Sequence, residues 1–465
     1  MERRSSPRHS GQDPFAAHDT RQGIAFQPLR NSGLHVIGSV LDRDGAIRRW
    51  GRSFERRLRR RWRFVGAWAN RRLSRATCIA VTGSSAKSTT TLLLSHILAG
   101  RASVETLASA IDVSDIIKSA ARLRWGTQYY VAELSVGRKG HLRQIVRVVK
   151  PDVAIVTFIG IEHYKEYRTR ENVAAEKGHL VEALPGSGLA VLNADDDLAL
   201  AMRQRTAARV VTFGRGHGAD YRATAIASRY PERLRLDVEW KGHVTPLQTR
   251  ILGEHFWLPV TAAFATAIEL GVPVDTARAM IASFEPMPDR CQPFATRAGP
   301  VFILDTWKAP WQTVGLAFDV VRHAQARHRR IVLGMLSDYR GSPKARYRDA
   351  YRDARSAADQ VIFVGDHAHR SMASQDDLAT GRFVEGRSVK AVADLMLQQA
   401  GADDLILLKA SRDLHLERIA LAFDHQVRCW KDRCGLQTSC FDCGLFEHPF
   451  EEHTGLRRSR KRQLP

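Results

Sequence analysis

The stretch Cys78-Ile79-Ala80-Val81-Thr82-Gly83-Ser84-Ser85-Ala86-Lys87-Ser88-Thr89-Thr90-Thr91 decides the fold class. An apolar, β-rich run over 77–81 feeds a turn of small residues, and the turn opens into a helical pattern at Thr90-Thr91-Leu92-Leu93-Leu94. Strand, loop and helix in that order present backbone N–H groups, and the positive end of a helix dipole, to an anion. Lys87 adds a charge suited to β- and γ-phosphates, and the Ser88 hydroxyl, or Thr89 beside it, suits Mg²⁺. Gly83, Ser84, Ser85, Ala86, Lys87, Ser88 and Thr89 are therefore the candidate phosphate-binding residues. Val81 stands where the full phosphate-loop motif begins with glycine, and Ala86 where glycine usually precedes the lysine. A left-handed backbone at Ala86 would cost about 1 kcal/mol. The plain alternative is a Ser/Thr-capped helix following a strand.

Outward from this loop, β-like runs alternate with helical ones. Strands are expected at 77–81, 129–134, 153–159, 189–192 and 209–213, with a helix over 171–184 among the intervening segments. That alternation predicts an α/β domain with a mostly parallel sheet, whose ligands sit beyond the carboxyl ends of the strands. Shorter β patterns over 219–252 predict a small antiparallel extension, and 259–283 reads as an Ala-rich helical segment. Glu285-Pro286-Met287-Pro288-Asp289 predicts a turn and a hinge. A second, Rossmann-like α/β unit follows, with strands at 301–304, 331–333, 360–364 and 405–408. The expected organisation is a basic extension over 1–75, a nucleotide-binding domain over 76–287, a second domain over 288–428 and a tail over 429–465.

The 465 residues carry a formal charge of +22, unevenly spread. Residues 1–75 hold 18 arginines and no lysine against six acids, a net of +12, and the last ten residues add five more cations. Such ends attract an anionic membrane surface, an acidic polymer or nucleic acid, or are solvated tails. Within 45–75, Trp50, Phe54, Leu58, Trp62 and Val65 recur on one helical face amid arginines. That pattern suits either an interfacial membrane helix or docking on the next domain. No apolar run spans a bilayer and no signal-peptide pattern opens the chain. A cytoplasmic protein is expected, peripheral at the inner membrane surface if the basic helix docks there, with no specific nucleic-acid target.

Further motifs follow in a fixed order. They are Ala132-Glu133-Leu134-Ser135, Gly140-His141-Leu142, and Lys150-Pro151-Asp152-Val153-Ala154-Ile155-Val156-Thr157 leading to Gly160-Ile161-Glu162-His163. Then come Arg170-Glu171-Asn172-Val173-Ala174-Ala175-Glu176-Lys177-Gly178, Val191-Leu192-Asn193-Ala194-Asp195-Asp196 and Leu408-Lys409-Ala410-Ser411-Arg412. With the loop at 81–90, this order resembles the Mur ligase family of ATP-dependent amino-acid and peptide ligases, over roughly 76–427. The nearest likeness is to the branch that joins D-alanyl-D-alanine to a UDP-muramoyl tripeptide. The resemblance implies ATP and Mg²⁺ as cofactors and an acyl-phosphate route to an amide, from a carboxylate acceptor and an amino-acid or peptide amine. It implies catalytic roles for Lys87, Glu133, His163, Lys177 and Arg290, Mg²⁺ ligation by Ser88, Glu133 and His163, and ATP contacts from Asn193 and Arg290. It also implies a carbamylated Lys177, and substrate contacts from Asp305, Lys409, Ser411 and Arg412. Read alone, Glu133 suits a strand-end salt bridge, Lys177 an exposed helix position, and Ser411 a helix cap.

The chain departs from the family at Thr157-Phe158, where the family has Thr-Asn, and at Trp307 and Lys308, which replace Tyr and Asn. In Gly253-Glu254-His255-Phe256-Trp257-Leu258-Pro259 both asparagines of the family's Gly-x-His-Asn-x-x-Asn are missing. Base recognition is then expected by stacking on Phe256 or Trp257. Only about 75 residues precede the loop, too few for the family's UDP-sugar domain, so a UDP-muramoyl acceptor is not expected. Cys429, Cys434, Cys440 and Cys443, four cysteines within fifteen residues, suit a structural Zn²⁺ clasp, an iron–sulfur cluster or unliganded thiols. Two rival readings are a degenerate relative acting as a nucleotide-binding scaffold, and a membrane- or nucleic-acid-binding protein working through its basic ends.

Overall fold

The computed structural model describes residues 62, 64–109, 113–135, 137–162, 164–297 and 299–457. The described residues from 62 to 457 belong to one compact unit. Its first sheet has nine strands: β1 Thr77–Thr82, β2 Val104–Leu107, β3 Tyr129–Glu133, β4 Val153–Val156, β5 Leu189–Asn193, β6 Arg209–Gly214, β7 Tyr221–Ala227, β8 Arg235–Trp240 and β9 His243–Gln248. Their order is β2-β3-β1-β4-β5-β6-β7-β8-β9, parallel through β7. β7, β8 and β9 then form an antiparallel meander, the extension expected over 219–252.

Side-chain alternation along the central strands builds two cores. Ile79, Val81, Val131, Val153 and Ile155 face one way, onto helix α1 Lys87–Ala99 and the long helix Trp257–Glu269. Cys78, Ala80, Ala132, Ala154 and Val156 face the other, onto helices His141–Val149 and Arg170–Glu182. Burial on both faces is why these strands read as continuous apolar runs.

The second sheet has six strands: β10 Gln292–Ala295, β11 Val301–Asp305, β12 His328–Leu333, β13 Gln360–Val364, β14 Phe383–Gly386 and β15 Asp404–Lys409. Their order is β10-β11-β15-β12-β13-β14, with only β10 antiparallel.

Three expectations need correction. β2, β10 and β14 were not anticipated: each has four residues, too few for a period-2 signal to stand out. The segment 259–283 is two helices, Trp257–Glu269 and Val274–Ser283, broken at Gly271-Val272-Pro273, where Gly271 takes φ 81°. Of the predicted aromatic stripe, Trp50, Phe54 and Leu58 lie outside the described residues. Trp62 and Val65 are exposed, so docking falls to Ala67 and Phe64, which pack on Ile117, Ala120 and Val148.

Candidate functional site

The carboxyl ends of β1, β3 and β4 meet at the loop between β1 and α1. Gly83 takes φ 146°, and a Cβ there would lie 2.0 Å from Thr157 Oγ1, so the position excludes any side chain. Ala86 takes φ 63°, the left-handed backbone that glycine usually supplies. The loop is clamped from β4: Thr157 Oγ1 donates to Ser85 O at 2.7 Å, and Ser84 N donates to Phe158 O at 2.6 Å. Asn193, at the end of β5, is buried and donates to Thr157 O at 2.7 Å. It therefore supports the loop from beneath.

The charged residues of the site come from four separate segments. Ser88 Oγ donates to Glu133 Oε2 at 2.7 Å, joining the two described residues expected to ligate Mg²⁺. Thr89 is buried and turns to Met287, so Ser88 is the hydroxyl of the pair that faces the carboxylate. Lys177 Nζ lies 2.5 Å from Glu162 Oε1, and Lys87 Nζ lies 3.9 Å from Glu162 Oε2. Lys177 is fully buried on its helix, not exposed, and burial is the main cause holding its ammonium below the ordinary lysine value, with Lys87 adding to it. Glu133 also acts on Lys177 electrostatically. Lys87, Glu133 and Lys177 thus converge on one place, with Glu162 between the two lysines. His163 lies outside the described residues.

Glu162 was quoted within a motif but given no role from sequence, because its partners are 75 and 15 positions away. Lys308 was likewise read only as a substitution. Desolvation, with the charges of Lys87 and Arg290, holds its ammonium below the usual value. The segment carrying it docks on the site loop, where Ile161 N donates to Gln312 Oε1 at 2.9 Å. Arg290 faces the ring of Trp307 at 5.7 Å and feels both Asp305 and Glu133, although burial depresses its guanidinium.

The residues expected to contact substrate sit at the end of the second sheet and pair with neighbours. Lys409 Nζ donates to Asp305 Oδ2 at 2.7 Å and to Lys308 O at 2.6 Å. Arg412 Nη2 donates to Asp289 Oδ2 at 2.7 Å, with both side chains buried, and its guanidinium lies 4.7 Å from the Trp307 ring centroid. Ser411 Oγ reaches Met335 O at 3.4 Å and caps no helix through its side chain.

A cavity of about 540 Å³ opens between β7, the start of the helix Trp257–Glu269 and the helix Val314–Arg322, lined by Arg215, Glu254, His255, Trp257, Asp319 and His323 among others. Phe256 belongs to the core, so of the two aromatics expected to stack on a base only Trp257 faces this cavity. Burial pushes the His255 imidazole down to about 4, against a smaller opposing effect of Asp305.

The four tail cysteines do not form one four-thiol group among the described residues. The buried cluster with metal-ligand spacing is His415, Glu417 and Cys440. Only one of its three members is a tail cysteine, because the chain after β15 carries the other two into the tail's packing.

Residues 81–267 match the Mur ligase middle domain. The UDP-N-acetylmuramoyl-tripeptide–D-alanyl-D-alanine ligase of Mycobacterium bovis is 27% identical over 234 residues, 49% of this chain and 45% of that protein. The chain thus spans under half the length of that curated relative. The Escherichia coli enzyme of the same name is 23% identical over 372 residues, covering 78% of this chain and 80% of that one. The crystal structure of MurF ligase from Thermotoga maritima in complex with ADP superposes with a TM-score of 0.69 at 20% identity, covering 77% and 81% of the two chains.

Proposed function

We propose that this chain, a member of the Mur ligase family through its middle domain, is an ATP- and Mg²⁺-dependent amide ligase. One observation carries the reading: a phosphate-type loop and the side chains of Lys87, Ser88, Glu133, Glu162 and Lys177 meet at the carboxyl ends of adjacent parallel strands. The groups present fit the cofactor chemistry. Hydroxyl and carboxylate oxygens 2.7 Å apart are hard donors, and the loop runs straight into the N-terminus of α1, whose free backbone N–H groups suit phosphate oxygens.

In the proposed reaction a substrate carboxylate attacks the γ-phosphorus, the bond to the β-phosphate oxygen breaks, and ADP leaves. The amine then attacks the acyl phosphate carbonyl, expels inorganic phosphate and loses a proton to solvent or a nearby base. Lys87 and the loop amides hold the phosphates, while Lys308 and Arg290 approach from the second domain to stabilise charge developing on the transferred group. Ser88, Glu133 and His163 would hold Mg²⁺, which would supply neutralisation of the negative charge gathered there. The buried, depressed amine of Lys177 suits carbamylation, which would convert it to a further anionic ligand beside Lys87. The adenine base is assigned to the Trp257 cavity, and Asp305, Lys409, Ser411 and Arg412 frame the amine side.

We also propose peripheral docking of the arginine-rich segment over 45–75 on anionic membranes or an acidic polymer, supported by the exposed Trp62 and Val65. Co-sedimentation with anionic vesicles, with and without residues 1–61, tests it: equal sedimentation of both forms would remove that proposal. The zinc ion proposed for the tail rests on a donor set different from the four cysteines alone. Phosphate release from ATP with a panel of amino-acid and peptide acceptors tests the ligase reading. Acceptor-dependent release supports it, and none with any acceptor, from folded protein, favours a nucleotide-binding scaffold.

A further inference from the structure

The cysteine-rich tail packs against the segment that follows β15, away from the phosphate loop, although Glu417 Oε1 lies 3.9 Å from Arg412 Nη1. His415 and Glu417 are fully buried there. His415 Nδ1 bonds Glu417 Oε1 at 3.0 Å, which leaves Nε2 facing Cys434 Sγ at 3.2 Å. The same Glu417 oxygen accepts from Cys440 N at 3.0 Å, and the donor atoms of His415, Glu417 and Cys440 lie within 4.8 Å of one another. Cys443 stands one helical turn beyond Cys440 on the short helix Cys440–Cys443, a spacing that puts both on one face. His415 itself takes φ 51°, a backbone strain that the surrounding packing must hold in place.

We propose that His415 Nε2 with the thiolates of Cys434, Cys440 and Cys443 binds a structural zinc ion that clasps the tail to this segment. Three thiolates and one imidazole are an ordinary structural zinc set, and one pair of them has the C-x₂-C spacing. The Nδ1 bond to Glu417 is the second contact by which a ligating histidine is oriented. Zn²⁺ with three thiolates leaves one negative charge, and Glu417 adds a second. Cations face both: Arg418 Nε donates to Cys440 Sγ at 3.3 Å, Arg457 Nη2 to Cys443 Sγ at 3.5 Å, and Arg412 Nη1 lies 3.9 Å from Glu417 Oε1. Cys434 joins through its 3.2 Å contact with His415 Nε2 and Cys443 through its place one turn from Cys440; for Cys429 neither tie is seen among the described residues, and its backbone N–H is held by Phe446 O at 3.0 Å. The inference is independent of the ligase reading, since none of these donors lies at the phosphate loop.

The test is the metal content of the full-length chain, purified without a metal-affinity tag, by inductively coupled plasma mass spectrometry. About one zinc per chain is expected. C434S, C440S, C443S and H415A should each lose most of it, and C429S should keep it. Replacement by Co²⁺ in the unaltered protein should give thiolate-to-cobalt charge transfer with an intensity corresponding to three sulfur ligands. That measurement stands even if a variant fails to fold. No stoichiometric zinc and no charge transfer with added Co²⁺ would overturn the proposal. Full retention in H415A with loss in C429S would overturn it in favour of four thiols.

Discussion

The two sheets end alike and differ in what their charged ends do. In the first, Glu133 ends β3, Lys87 and Glu162 lie in the loops beyond β1 and β4, and Lys177 reaches in from the helix Arg170–Glu182; Lys177 closes on Glu162 at 2.5 Å, but the Lys87–Glu162 contact is loose at 3.9 Å with both side chains partly open to solvent. In the second, Asp305 and Lys409 lie in register on neighbouring strands β11 and β15 and close on each other at 2.7 Å, while Arg412 closes on Asp289. The first site keeps cations that a polyanion can claim. The second has spent its charges on one another, and it holds the segment carrying Trp307 and Lys308 against the first.

That contrast can be broken by substitution. Lys87→Met should lower turnover by about 10³-fold, as expected for losing a preorganised charge at transferred phosphate, with the thermal midpoint nearly unchanged. Steady-state phosphate release and calorimetry read the two quantities. Arg412→Met should do the reverse. It leaves Asp289 buried without its cation, at a cost of about 3–5 kcal/mol in denaturant unfolding, a loss of stability that Lys87→Met does not share and that comes on top of any lost contact with the amine substrate. If Arg412→Met proved as stable as the parent while turnover fell 10³-fold, the division between the sheets would be wrong.

A smaller effect lies in the cavity between them. His255 titrates at about 4 when folded and 6.5 when unfolded, so between those values the unfolded chain holds the extra proton. Stability should therefore fall as pH drops from 6.5 to 4, by about 3 kcal/mol in total for this one group. His255→Gln should remove that part of the slope in urea titrations across the range. The smallest effect belongs to the loop. Ala86→Gly relieves a left-handed alanine at φ 63° and should stabilise the fold by about 1 kcal/mol, read as a raised urea midpoint.

The loop, the parallel strands and the antiparallel extension were legible because each is local: small residues in a turn, apolar runs of five or six, short alternations. Glu162 was not, since its role depends on two lysines brought in by other elements. The ion pairs of Lys409 and Arg412 were not legible for the same reason, their acid partners lying more than a hundred residues away. The choice between Phe256 and Trp257 needed the packing of the helix Trp257–Glu269, which turns one ring into the core. The cysteine spacing announced a cluster, but His415 could join it only once the end of β15 was placed beside the tail.

The most direct measurement is calorimetric titration of the full-length chain with a non-hydrolysable ATP analogue, with and without Mg²⁺, beside Lys87→Met and Glu133→Gln. One Mg²⁺-dependent site per chain, weakened at least tenfold in both variants, is the expected result. No binding to the folded parent protein, or binding indifferent to both substitutions, would contradict the assignment of this cluster to a magnesium–nucleotide complex.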